Sequence, residues 1–266
     1  MQNQNSLDGI CAALAYAMGI DAPKYAAKPN SVLAEFIDKA FDGKKADKLI
    51  MYNPDAIAQW IYEKYPWFLN DAKQFVDVEI PLCCVMPSVT PVCFGTMYTG
   101  AQPEVHGIQG YKKPVITIDT LFDALIRAGK KIAIITYGSC SISRIFLERD
   151  IDYYHNEEGD VNWVNAVAAE VILADKHDVV IIYDGEYDTI MHKFGPESKE
   201  ALSELKANAK GYAMICNLVE RNYKGKNTLV GFAMDHGCHE IDGGCGSHGL
   251  DMDEDLNIVH FYKAFR

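Results

Sequence analysis

The sequence predicts one α/β domain, a three-layer α/β/α sandwich in which helices cover both faces of a mostly parallel sheet. Short runs of isoleucine and valine, at 131–135 and 178–183, alternate with segments that carry apolar residues at helical spacing. Strands that are apolar on both faces are typical of a parallel sheet buried between two helical layers. A length of 266 residues fits a single α/β domain with a sizeable core.

The individual elements follow from spacing, apolar runs and breaker residues. A glycine ends the first helix, and a Thr-Pro pair, which suits a helix N-terminus, opens the fourth. Apolar runs that stop at turn residues, such as Asn53-Pro54, are expected to be strands. Helices are predicted over 6–18, 32–41, 55–65, 90–98, 118–128, 162–174 and 197–220. Strands are predicted over 48–52, 78–85, 131–135, 178–183, 228–234 and 257–261.

No linker, repeat or low-complexity segment divides the chain, so we expect one domain over residues 1–266. The helices within 1–46 are expected to pack on it. The longest loop is expected over 98–115, which is rich in glycine and proline.

Charge and composition exclude several classes of protein. The formal net charge is −12, and no run of Lys or Arg forms a basic stripe, so nucleic-acid binding is not expected. Such a charge would also repel a phosphate substrate, unless bound metal ions supply local positive charge. No stretch reaches the roughly 18 apolar residues of a membrane span. The first twenty residues lack a positive region and contain Asp8, so no signal peptide is expected.

The eight cysteines form no CxxC pair, which argues against a zinc-finger framework. Without an export signal they are expected to be reduced thiols, and the protein is predicted to be cytoplasmic. No oligomeric state follows from the sequence.

Polar side chains that can bind metals follow four of the predicted strands. In an open α/β sheet, ligands bind beyond the carboxyl ends of the strands, so these side chains are expected to meet at one edge. They are Asn53 and Asp55, then Thr90, then Asp184, Glu186 and Asp188, and finally Asp235 and His236.

Asp188 and His192 are four residues apart and would share one face of a helix, where they could hold one cation. The alternative is a solvated helix pair without a ligand.

Asp235 and His236 precede Gly237, which permits a turn, and four of the eight histidines fall between residues 236 and 260. Carboxylate and imidazole together suit zinc, manganese or iron. Chance clustering in a Gly-rich loop is the alternative there.

Thr90 precedes Pro91 and is expected to lie at a helix N-terminus. One interpretation is that its hydroxyl caps the helix. The other is that the hydroxyl acts as a nucleophile, because the positive end of the helix suits a phosphate and a metal ion would lower the pKa of the hydroxyl.

Four motifs occur in a fixed order. They are Thr90 nine residues before Thr99-Gly100 and followed by Pro103-Glu-Val-His106-Gly-Ile, then Asp188-x-x-x-His192-x-x-Gly195-Pro196, then Asp235-His236-Gly237, and last Gly246-Ser-His248-Gly249. From about residue 48 onward the sequence resembles the alkaline phosphatase superfamily, and most closely its type I phosphodiesterase/nucleotide pyrophosphatase branch.

The resemblance implies an alkaline phosphatase-like fold and a phosphoric ester hydrolase with two divalent ions, zinc as the first expectation and manganese as the alternative. One ion would be held by Asp188, His192 and His248. The other would be held by Asp235, His236, the Thr90 hydroxyl and an aspartate after the first strand. Attack by Thr90 on a small phosphate ester, a nucleotide among the candidates, would give a phosphothreonine that water hydrolyses.

The sequence departs from the motifs of that branch at two positions. Asn53 stands where the first strand usually delivers an aspartate, with Asp55 as a substitute only if the turn presents it inward. Cys93 stands where an asparagine often donates to the phosphate, and a thiol is a weak donor. Both residues are predicted to contact the ion or the substrate. They leave open a degenerate member that binds a metal or nucleotide without efficient hydrolysis, or a phosphomonoesterase or phosphomutase activity.

Overall fold

The computed structural model describes residues 1–266 as one large sheet with helices on both faces. The strands are β1 (Asn5–Ser6), β2 (Lys48–Pro54), β3 (Val78–Cys83), β4 (Ile132–Tyr137), β5 (Asp152–Asn156), β6 (Val179–Asp184), β7 (Thr228–Phe232), β8 (His239–Ile241), β9 (Cys245–Ser247) and β10 (Asn257–Phe265). The helices are α1 (Gly9–Ala17), α2 (Ser31–Ala40), α3 (Gln59–Lys64), α4 (Asn70–Lys73, after a 3₁₀ turn at Pro66–Leu69), α5 (Thr90–Thr99), α6 (Pro103–His106), α7 (Leu121–Arg127), α8 (Ile142–Ile145), α9 (Val161–Ala174), α10 (Glu186–Phe194), α11 (Lys199–Asn222) and α12 (Asp253–Leu256).

The main sheet has eight strands in the order β1-β3-β10-β7-β2-β6-β4-β5. All neighbours pair in parallel except β10, which runs antiparallel to β3 and β7. β2, β6 and β7 are buried along their whole length, as expected for strands covered on both faces. The strands that precede the predicted site residues therefore point their carboxyl ends to the same edge.

The helices form two groups, each packed within itself. α1 contacts α2, α5 and α7, and α5 also contacts α6 and α8. On the other side, α11 contacts α4, α9 and α10. These groups and the sheet between them make the three layers that the sequence predicts. No helix has the length and apolar character needed to cross a lipid bilayer.

Most of the predicted helices and strands are found, and the clearest error lies after β2. The helix expected from Asp55 begins only at Gln59, and the intervening turn places Ala56 at a φ of +62°. The strand itself continues to Pro54 instead of stopping at residue 52. Four strands were not predicted, the edge strands β1 and β5 and the short hairpin of β8 and β9.

Some of the recognised motifs serve packing. Gly100 ends α5 at a φ of +70°, and a Cβ there would lie 2.7 Å from Cβ of Ala26. His106 is buried, and its Nε2 lies 3.1 Å from Oγ1 of Thr96. The His106 contact joins α6 to α5, and the Gly100 turn packs the end of α5 against the loop between α1 and α2.

Candidate functional site

Residues from four strand ends converge at one edge of the sheet. Asp55 directly follows β2, and Thr90 opens α5 after β3. α10, which follows β6, carries Asp188 and His192. Asp235 and His236 lie three and four residues after Phe232, the last residue of β7. His248 directly follows the hairpin of β8 and β9.

The first group of ligand atoms comprises Asp188, His192 and His248. Oδ1 of Asp188 lies 3.3 Å from Nε2 of His192 and 3.4 Å from Nε2 of His248. The two Nε2 atoms are 3.2 Å apart. Three potential ligand atoms thus face one point at nearly equal separations.

The second group comprises Asp55, Asp235 and His236, with Thr90 beside them. Nε2 of His236 lies 3.4 Å from Oδ1 of Asp55 and 3.3 Å from Oδ2 of Asp235. Oγ1 of Thr90 lies 3.3 Å from the same Nε2 and 3.5 Å from Oδ1 of Asp55. The His236 and His248 rings are 4.1 Å apart, so the two groups are adjacent.

These separations fit tetrahedral zinc. Bonds of about 2.0–2.1 Å in a tetrahedron put neighbouring ligand atoms about 3.3–3.4 Å apart. The distances in both groups, 3.2–3.5 Å, match this edge length. Side-chain oxygens of Asp188 and Asp235 are buried without any hydrogen-bond partner, which suits metal ligands.

Backbone carbonyls orient all three imidazoles of the site. Nδ1 of His192 lies 2.9 Å from the Gly246 oxygen, and Nδ1 of His236 lies 2.9 Å from the Gly237 oxygen. Nδ1 of His248 lies 3.1 Å from the Ser88 oxygen. An Nδ1 that donates its proton to a carbonyl leaves the Nε2 lone pair free for a metal ion.

Burial and mutual repulsion distort the titration of the carboxyl groups. Burial, and then the charge of Asp188, raise the pKa of Asp55 to about 7. Burial, and then the charge of Asp55, raise the pKa of Asp235 well above its usual range. Burial would raise the pKa of Asp188 too, but the imidazoles of His192 and His248 hold it below its usual range. Divalent cations would stabilise the ionised carboxylates in both groups.

The Thr90 hydroxyl does not cap α5. Val89 is the N-cap residue, and no side chain accepts a capping hydrogen bond there. The contacts of the Thr90 hydroxyl are with Asp55 and His236, in the second group. The geometry therefore contradicts the interpretation of Thr90 as a helix cap.

The family model described as type I phosphodiesterase / nucleotide pyrophosphatase matches residues 52–262, which is most of the chain. The chain belongs to this family. It is a family of phosphoric ester hydrolases within the alkaline phosphatase superfamily. The match contains every residue of both ligand groups. A comparison with curated protein sequences gives no match.

Solved structures of the phosphodiesterase family share the fold. Murine ectonucleotide pyrophosphatase/phosphodiesterase 5 superposes with a TM-score of 0.60 at 17% identity, covering 74% of this chain and 58% of that one. An inactive threonine-to-alanine variant of the same murine protein, in complex with AMP, superposes with a TM-score of 0.56 at 16% identity, covering 74% and 59%. The chain therefore spans less than two thirds of the length of these structures.

Asn53 was predicted as a metal ligand, but the structure directs its side chain to other partners. Its Nδ2 donates to the Ala233 oxygen at 2.9 Å, and its Oδ1 accepts from the Tyr98 hydroxyl at 2.6 Å. Because β2 continues through Pro54, residue 53 still lies inside the sheet. Asp55, two residues further on the same face, reaches the site. An aspartate after the first strand is thus present in the second group, two residues later than expected.

Cys93 was predicted to contact the substrate, but the structure directs its thiol elsewhere. The thiol is fully buried and directed at the Val85 oxygen, 3.8 Å from Sγ. It therefore packs in the first turns of α5 instead of pointing towards a phosphate.

Tyr183 is a site residue that the sequence interpretation missed. Its hydroxyl donates to Oδ2 of Asp55 at 2.5 Å, from the neighbouring strand β6. The sequence feature that could have indicated Tyr183 is its position at the end of the apolar run, directly before Asp184. The sequence interpretation assigned this residue only to the strand. Among aromatic residues near the motifs, Phe94 and Tyr98 are buried and pack in the core, while Tyr111 and Phe194 are exposed.

Proposed function

We propose that the protein is a two-metal phosphodiesterase of the nucleotide pyrophosphatase type, with Thr90 as its nucleophile. One observation carries this proposal. The Thr90 hydroxyl lies within 3.5 Å of two ligand atoms of the second group, which itself adjoins the first group. Membership in the family supports phosphoric ester hydrolysis as the reaction.

The residues have separate tasks in this reaction. Oγ1 of Thr90 attacks phosphorus and gives up its proton, the bond from phosphorus to the leaving oxygen breaks, and that oxygen departs with a proton. The part of the diester that remains stays on Thr90 as a threonine phosphodiester. Water then cleaves the bond between phosphorus and Oγ1, which restores the hydroxyl. Tyr183 and Ala56 N–H, through hydrogen bonds to Asp55 and Asp235, hold those carboxylates in place. Divalent ions, zinc first and manganese as the alternative, would stabilise the attacking and leaving oxygens.

We propose a small nucleotide-like phosphodiester or pyrophosphate as the substrate. The AMP complex of the murine relative supports a nucleotide. The net charge of −12 supports a dependence on metal ions, because an anionic substrate needs local positive charge to approach. The alternative is a degenerate, non-hydrolytic member, and Asp55 argues against it because it supplies the carboxylate that Asn53 lacks.

The test compares three proteins for metal content and for turnover. Wild type, Thr90→Ala and Thr90→Ser are assayed for bound metal by mass spectrometry and for hydrolysis of bis-p-nitrophenyl phosphate and p-nitrophenyl phosphate. We expect two ions per chain in each and faster cleavage of the diester. Thr90→Ala should lose at least roughly 10³-fold in turnover, whereas Thr90→Ser should retain part of it. Unchanged turnover in Thr90→Ala would end the assignment of the nucleophile.

A further inference from the structure

The segment from Gly237 to Leu250 holds ligands of both groups in place without being a regular element over most of its length. It begins directly after His236, contains the hairpin of β8 and β9, and carries His248 near its end. The hairpin also supplies the Gly246 oxygen that orients His192. Any shift of this segment would therefore move ligands of both proposed ions.

One residue outside both groups, Asp255, fastens this segment at three places, twice through its carboxylate and once through its backbone oxygen. Oδ2 of Asp255 accepts from the backbone N–H of Leu250 at 2.9 Å, two residues after His248. Oδ1 of Asp255 lies 2.7 Å from Nδ1 of His239, at the start of β8. The backbone oxygen of Asp255 accepts from Gly237 N–H at 2.8 Å, one residue after His236.

Asp255 is well placed to act through these contacts and not on the substrate. It is fully buried, and its polar atoms are used by the segment itself, so it is not available to an ion or a phosphate. His239 is also buried and belongs to neither ligand group. Gly237 is packed so closely against the Glu254 oxygen that a Cβ would overlap it, which keeps the turn beside His236 against α12.

We infer that Asp255 and His239 form a positioning pair that sets the affinity of both metal ions, an inference that rests on the proposed function. Asp255 bridges the residue after His236 to the residues after His248. Loss of its charge weakens the side-chain bonds to His239, three residues after His236, and to Leu250, two residues after His248, while the backbone bond to Gly237 remains. The segment is then less firmly held near ligands of both groups, so both ions are held less tightly. Residues that orient metal ligands typically change metal affinity by about 10- to 100-fold when they are replaced.

Two substitutions at position 239 separate the contribution of the His239 hydrogen bond from that of the rest of Asp255. Asparagine at position 239 would keep an N–H donor near the position of Nδ1, whereas alanine would remove it. The bond from Leu250 N–H to Asp255 survives in both variants. We therefore expect zinc affinity to fall in His239→Ala and to stay close to the wild-type value in His239→Asn.

The experiment measures zinc affinity of the full chain by competition with a fluorescent zinc chelator, well below the unfolding temperature. Wild type, Asp255→Asn, His239→Ala and His239→Asn are compared with Glu254→Gln, whose exposed side chain lies on the same helix, α12. We expect weakening of about 10- to 100-fold for both ions in Asp255→Asn, smaller weakening in His239→Ala, and near wild-type values in the other two variants.

A purely structural role would lower the free energy of unfolding of the metal-free protein and leave zinc affinity unchanged. The inference would be overturned if Asp255→Asn and His239→Ala bound zinc as tightly as wild type. The proposed function would still stand in that case, provided that wild type binds two ions. Wild type that binds neither zinc nor manganese would overturn both. If Asp255→Asn does not fold, the comparison of His239→Ala with His239→Asn decides.

Discussion

The Tyr183 hydroxyl donates a hydrogen bond to Oδ2 of Asp55 at 2.5 Å, across the ends of the paired strands β6 and β2. This leaves Oδ1 of Asp55 directed at His236 and Thr90. Gly185 makes the contact possible, because a Cβ there would overlap the Tyr183 hydroxyl. The tyrosine therefore selects which carboxylate oxygen faces the second group.

Tyr183→Phe is expected to weaken zinc binding at the second group by about tenfold and to leave the first group nearly unchanged. The reason is that Asp55 loses the bond that fixes its rotation. Zinc titration of the full chain measures the effect. Tyr223→Phe is the matched control, because it removes a buried hydroxyl that donates to Ile172, on α9. Equal losses in both variants would show that the effect is not specific to Asp55.

Metal content in two variants, Asp55→Asn and Asn53→Asp, should distinguish Asp55 from Asn53 as the ligand. Asp55→Asn should lower the metal content from two ions towards one and reduce turnover. Asn53→Asp should add no ion, and should lower the free energy of unfolding by roughly 2–4 kcal/mol, because it removes the donor to Ala233 and buries a charge. Metal analysis and urea unfolding test both variants. Gain of ion affinity in Asn53→Asp would contradict the assignment of Asp55.

Chelation should destabilise the folded protein. Ions that bind the folded state alone add about 2.7 kcal/mol of stability at a concentration 100 times Kd. We therefore expect EDTA to lower Tm by about 5–10 °C in thermal unfolding. The double variant Asp188→Asn/Asp235→Asn lacks a ligand from each group and should show no EDTA effect. A shift of equal size in that variant would mean that the stabilising ions bind elsewhere.

His106 should make the protein less stable in acid. Burial lowers its pKa from 6.5 to about 4, so between these values the unfolded chain binds a proton that the folded chain does not. The free energy of unfolding therefore falls as the pH drops through this window, by roughly 3 kcal/mol in total. His106→Asn keeps an acceptor for the Ile108 N–H and should flatten this dependence. Urea unfolding in EDTA from pH 4 to 7 compares the two proteins, and parallel pH profiles would refute the role of His106.

The fold was largely predictable because its central strands carry their signal in composition. β6 and β4 are continuous apolar runs, and burial on both faces allows little else. β5 was missed because its residues are polar or aromatic and partly exposed, and it pairs with β4 alone at the sheet edge. β8 and β9 have three residues each in a Gly-rich segment, too short for any periodicity.

The site was predicted less completely than the fold. Asp188 and His192 could be predicted to lie together because their spacing of four residues places them on one face of a helix. The choice between Asn53 and Asp55 depended on where β2 ends, and the turn requires Ala56 in a left-handed conformation that alanine rarely adopts. Tyr183 acts through a contact between strands that no local pattern reveals. The cytoplasmic location stays a prediction from the sequence.

The antiparallel strand β10 has a consequence for how the active site is assembled during folding. β3, which leads to Thr90, has no hydrogen bonds with β2, β6 or β7 and joins their part of the sheet only through β10. β10 is also the last strand in chain order. The ligand-bearing strands can pair with one another earlier, but hydrogen bonding within the sheet brings the strand that leads to Thr90 into register with them only when β10 inserts between β3 and β7.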